Sequence, residues 1–207
     1  MAPAHPRSVS QPAASALPTW AYGLGPQAFA NAALLNATTT DCQVFPIALS
    51  TASVAGVQVG DTLGDIYSGS QPGTFGWLSW TGDPSEPTLV QSLTPPGNSD
   101  TYVNPADAAD HEVSVGDWVQ GKPGVSNSSA VRDALDTLED YEIILPVYDQ
   151  VTGSGSSVAY RISGFAKVRI IGYRLPSANR ISVIYLGNAD CGGGGDDDGG
   201  GDGGPGV

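Results

Sequence analysis

The chain has 207 residues, of which 40% are apolar and 14% charged, with 28 glycines and 16 prolines. That length suits one domain with tails, or two small ones, and low charge with abundant turn formers favours short strands joined by many turns. The formal net charge of −13, from 8 basic and 21 acidic residues, argues against nucleic acid and anionic membrane surfaces, because both are bound through Lys and Arg.

Residues 1–19 read as a Pro/Ala/Ser-rich leader with no apolar h-region and no visible signal peptide. Residues 26–36, PQAFANAALLN, read as a short helix opened by Pro26. From Cys42 the pattern turns to β. CQVFPIAL (42–49) and VAGVQV (54–59) are apolar or alternating runs between turn residues. GTFGWLSW (73–80) places Phe75, Trp77 and Ser79 on one face, and Gly76, Leu78 and Trp80 on the other. Residues 82–110 carry five prolines among Asp, Asn and Ser, and read as long loops with a short strand at best. HEVSVGDWVQG (111–121) alternates again, with Val113, Val115 and Trp118 facing inward.

SNSSAVRDALDTLED (126–140) is the clearest helix. Ser126, Asn127 or Ser128 supplies its N-cap, and Val131, Leu135 and Leu138 form an i, i+4, i+7 apolar stripe. Three strong strands follow, YEIILPVYD (141–149), SVAYRISGFAKVRIIGYRL (157–175) and ISVIYLG (181–187). Together they predict an antiparallel meander, with Gly164 and Gly172 marking bulges or bends. Arg161, Lys167, Arg169, Arg174 and Arg180 alternate with apolar residues there, and so face solvent or an acidic partner. The chain closes on CGGGGDDDGGGDGGPGV (191–207), which has no side chains to pack a core.

The chain therefore divides into an extended N-terminal arm with a short helix (1–40), a β-rich stapled domain (41–191), and a flexible Gly/Asp-rich tail (192–207). The fold class is mainly β, an antiparallel β-sandwich or partly open barrel with one or two short helices. The expected core is Val44, Phe45, Ile47, Leu49, Phe75, Trp77, Leu78, Trp118, Val131, Leu135, Leu138, Ile143, Leu145, Val147, Tyr160, Ile162, Phe165, Val168, Ile170, Tyr173, Ile181, Val183 and Tyr185. No run of eighteen apolar residues occurs, so no membrane span is expected.

The two cysteines, Cys42 and Cys191, bracket the β-rich region and read as one disulfide of an oxidising compartment; two buried free thiols are the alternative. No CxxC occurs, and His5 and His111 lack ligand spacing, so no cofactor and no structural metal are expected. Asp196, Asp197, Asp198 and Asp202 could gather calcium, but they lack an EF-hand pattern and read first as a solvated linker. Trp77, Trp80, Trp118 and Tyr102 are candidates for a ligand-stacking platform, against the alternative that they fill the core. Asn36 and Asn127 head N-x-S/T glycosylation patterns. No GxSxG or HExxH occurs, and the acids lie mostly in loops or the tail, so no catalytic residues are assigned.

One ordered set of phrases goes beyond generic β: CQVFPIAL, PGTFGWLSW, VGDWVQGKPG with the 126–140 helix, IILPVYD, YRISGFAKVRIIGYRL and a closing Cys. Over about residues 42–191 this resembles the secreted, Cys-bounded region of bacterial proteins related to the TadE/TadG group, which is associated with tight-adherence pilus assembly. The resemblance implies a surface module and supplies no catalytic residues. The expected function is that of a non-enzymatic extracellular structural protein, a cell-surface or appendage component able to self-assemble into filaments. Its partners would be itself or other surface proteins. A carbohydrate- or surface-ligand-binding module is the alternative.

Overall fold

A computed structural model describes residues 42–68, 74–124, 126–175 and 178–191. The arm and helix expected within 1–40 and the tail 192–207 lie outside the described residues.

The first strand, β1 (Ile47–Ser50), is buried throughout. Ser50 ends it by capping a one-turn helix, α1 (Thr51–Val54), its hydroxyl accepting the Ser53 amide at 3.2 Å. The strand expected at 54–59 is not formed. Helix α1 and two left-handed glycines, Gly56 and Gly60, occupy that stretch, and β2 (Thr62–Ser68) begins after it. Strand β3 (Thr74–Trp77) follows, with Phe75 and Trp77 on one side and Leu78 and Trp80 on the other, as the alternation predicts.

The stretch 82–110 is not all loop. Residues Glu86–Leu93 form helix α2, with Ser85 at the N-cap, Pro87 in the first turn, and Leu89 and Leu93 buried. Proline suits the first turn because its missing N–H is unsatisfied there anyway. Strand β4 (Trp118–Gln120) is short. Helix α3 (Ser129–Leu138) is capped by Ser128, which accepts the Val131 amide at 3.2 Å, and it buries Val131, Leu135 and Leu138. The meander forms as read, with β5 (Ile143–Thr152), β6 (Ala159–Arg174) and β7 (Arg180–Asn188) in antiparallel succession. Register shifts occur beside both Gly164 and Gly172, which is how an extra residue bends a strand.

The seven strands among the described residues join one sheet in the order β4-β6-β5-β1-β3-β2-β7, and a further β6–β7 pairing closes six of them into a ring, short of a true barrel. The sheet is mixed. Strands β1 and β5 pair in parallel, as do β2 and β3, so the expected all-antiparallel pairing is corrected. Strand β1 is covered on both faces: Ile47 and Leu49 join a cluster with α2, α3 and the β5–β7 interior, while Ala48 joins a second cluster with Trp80, Tyr148 and Phe165.

Two expected core residues differ. Trp118 is half-buried and its neighbour Val119 is fully buried; in a strand a shift of one residue exchanges faces. Tyr173 is half-buried, its hydroxyl donating to Arg132 O at 3.3 Å and to Asp136 on α3. Val115, expected inward, is 58% exposed, because a turn from Ser114 to Asp117 with Gly116 left-handed breaks the alternation. Among the described residues no helix is long and apolar enough to cross a membrane.

Candidate functional site

Cys42 and Cys191 are bonded, with Cα atoms 5.4 Å apart across 149 residues of sequence. The bridge joins the residues just before β1 to those just after β7, and its Cys42 with Gln43 forms one wall of a cleft of about 410 Å³. The other wall comes from segment 98–113, supplying Ser99, Asp100, Asp110, His111 and Glu112. Ser99 ties the walls together. Its hydroxyl accepts the Val44 amide at 3.2 Å and meets the Gln43 amide group at 2.9 Å.

Asn104 organises the acidic side. Its Nδ2 donates to Asp110 at 2.8 Å and to Asp117 at 3.0 Å, while its Oδ1 accepts the Ala106 amide. The two carboxylates sit in different surroundings. Hydrogen bonds from the Glu112 amide and from Asn104 hold Asp110 below the usual carboxylate range. Burial pushes Asp117 above that range, opposed by the Ser114 amide, which donates at 2.8 Å. Tyr102 is buried and its hydroxyl faces Asp117 without completing a well-formed hydrogen bond; burial and the two acids push its pKa upward. His111 places Nδ1 2.5 Å from the Tyr102 carbonyl oxygen. Segment 98–117 holds five acids (Asp100, Asp107, Asp110, Glu112 and Asp117) and no Lys or Arg. Such a wall favours cations and hydrogen-bond donors.

A second charged surface lies on the outer faces of β6, β7 and β2. Lys167 and Arg169 share Glu142 at 2.7 and 3.0 Å. Arg174 reaches Asp65 at 3.0 Å, whereas Arg180 donates to the Asp65 carbonyl and lies over the Tyr67 ring, 5.5 Å from its centroid. Arg174 and Arg180 are cross-strand partners. Four cations thus face two carboxylates. Arg161, near the start of β6, pairs with Asp149 instead. Periodicity made these cations visible in the sequence; their acidic neighbours on β2 and just before β5 were not.

The structure does not assemble the stacking platform. Trp77, Trp80 and Tyr102 are each 1% exposed and belong to the core, and Trp118 alone is half-open. With 8% aromatic content the chain uses its large rings to fill volume. Asn127 is half-buried, and its backbone carbonyl accepts from Arg132. Asn36, Asp196, Asp197, Asp198 and Asp202 lie outside the described residues. Among the described residues, no group of three or more His, Cys, Asp or Glu is placed to hold a metal. The cleft itself escaped the sequence reading. The dense Asx residues of 98–117 were its one signal, and they read equally well as loop. Comparison with protein-family models, curated proteins and solved structures found no match.

Proposed function

We propose that this chain is a non-enzymatic extracellular structural protein, a cell-surface or appendage component that assembles with further copies of itself. The observation that carries the reading is the bridge between Cys42 and Cys191, which fastens the two ends of the β-rich unit together. Bonds of this kind persist in oxidising compartments and not in a reducing cytosol. Burial of Trp77, Trp80 and Tyr102 supports it by assigning the aromatic residues to the core. The resemblance to the TadE/TadG group extends the proposal to a place among tight-adherence surface proteins.

One observation favours a second reading, a module that binds a polar surface ligand such as a carbohydrate. The cleft beside the bridge offers Gln43, Asp100, Asp110 and Glu112, whose amide and carboxylate oxygens can accept hydroxyl protons, together with the imidazole of His111. Negative-stain electron microscopy of the full chain at near-neutral pH separates the two. Regular filaments or tubes support the structural reading. Dispersed particles of monomer size across all concentrations overturn it and leave the binding module.

A further inference from the structure

We propose that the cationic face of β6, β7 and β2 is a docking surface for the acidic segment 98–117 of a second copy of this chain. The inference rests on the self-assembly reading and names the contact that would produce it. Two observations carry it independently: charge and exposed apolar area.

The first is where charge is left over. The chain as a whole is strongly acidic, at −13, so copies repel one another over most of their surfaces. The outer face of β6–β7 is the exception. Lys167 and Arg169 share one carboxylate, and among the described residues Arg180 meets none. Arg174 and Arg180 stand opposite each other across the ladder and, among the described acids, share Asp65 alone, the first through its carboxylate and the second through its carbonyl, so this pair of like charges keeps a net positive charge. The complementary surface is on the same molecule. Asp100 and Glu112 are exposed on the wall of the cleft, in a segment with no Lys or Arg.

The second observation is apolar. Val59, Tyr67, Val103, Val115 and Ile171 are the large apolar side chains left exposed among the described residues. Tyr67 and Ile171 lie on the cationic face, and Val59 reaches it beside Gly187, the register partner of Lys167. Val103 and Val115 lie in the acidic segment. Each surface therefore combines its charge with apolar area to bury.

The two surfaces are distinct: the cationic face begins at Lys167, five residues along β6 from Ile162, and extends away to Arg174. The acidic segment is anchored at Ile162 of β6 through Gly116 and Asp117. Arg174 is twelve residues further along β6, about 40 Å at roughly 3.3 Å per residue. A contact between two different surfaces is heterologous. It propagates into an open array unless its rotation closes a ring.

Sedimentation velocity on the full, oxidised chain tests this with charge reversals at exposed positions. One variant carries Arg174→Glu and Arg180→Glu, and a second carries Asp100→Lys and Glu112→Lys. Wild type is expected to associate at low salt and to disperse at about 1 M salt, where the Debye length is roughly 3 Å. Each variant alone should associate at least about tenfold more weakly. Mixed in equal amounts, the two variants retain one wild-type contact, and their reversed charges oppose one another with complementary sign, so the mixture should regain the association that neither variant shows alone. Wild-type assembly with both variants assembling equally well overturns the docking surface while leaving the structural reading in place. A wild type that stays monomeric under every condition overturns both.

Discussion

The replacement of Gly76 by alanine isolates one packing constraint. Gly76 on β3 and Gly121 after β4 lie on either side of the Tyr160 ring, which reaches in from β6. A Cβ at Gly76 would sit 2.5 Å from the Tyr160 hydroxyl oxygen and 2.8 Å from Cε1, where ordinary contact is 3.4–4 Å. The ring cannot retreat freely. A Cβ at Gly121 would lie 2.6 Å from its Cε2 edge, and the Tyr148 ring packs against it at 4.8 Å. Overpacking a core of this kind costs about 1–3 kcal/mol, and with the ring hemmed in on both sides the upper end applies. For a unit of this size that corresponds to a loss of about 6–12 °C in Tm. The backbone at Gly76 is not left-handed, so without the ring alanine should stabilise by about 0.4–1 kcal/mol through the unfolded chain. Urea unfolding of Gly76→Ala, Tyr160→Val and the double variant measures the difference. A Gly76→Ala cost that persists unchanged in the Tyr160→Val background refutes the steric account.

Replacing both Cys42 and Cys191 by serine opens a loop of 149 residues and should cost about 5 kcal/mol on the chain-entropy model, read as a fall in urea midpoint with a steeper slope, because the unbridged denatured chain exposes more surface. Ser99→Ala removes the acceptor of the buried Val44 amide and should cost about 1–3 kcal/mol in the same assay. The pH dependence has two opposing parts. Hydrogen bonding from Arg161 holds Asp149 below the usual range, and Lys167 does the same for Glu142. The unfolded chain therefore binds these protons more readily, and their stabilisation is lost as pH falls through the folded-state values. Asp117, raised by burial, works the other way and gains on protonation. Asp149→Asn and Glu142→Gln should flatten the acid limb of urea midpoint against pH, and an unchanged limb would show that these pairs contribute nothing.

The strongest parts of the fold were legible because their periodicity is long. The β5–β7 meander and the α3 stripe of Val131, Leu135 and Leu138 repeat their pattern often enough to exclude other readings. Helix α2 was hidden by composition. Asp83, Pro84, Ser85 and Pro87 read as loop, although a capping Ser ahead of a first-turn Pro, with Leu89 and Leu93 four apart, is also a helix start. Strand β2 carries Gly64 and a left-handed Asp65, which interrupt alternation. The parallel pairings of β1 with β5 and of β2 with β3 join segments far apart in order, and no local pattern encodes them. The same holds for the cleft. Gln43 and Ser99 meet across 56 residues, so the chemistry of each is visible in the sequence while their meeting is not.

The bridge has a mechanical consequence. Tension on the chain before Cys42 and after Cys191 is carried through one covalent link spanning 5.4 Å between Cα atoms. The hydrogen-bond ladders between the strands lie outside that load path and bear none of the pull. With the link cut, tension would instead enter the sheet, and unravelling could release about 500 Å of contour at roughly 3.4 Å per residue. A module tethered at both ends in this way is inextensible while oxidised, and it becomes compliant only when its one covalent clamp is reduced.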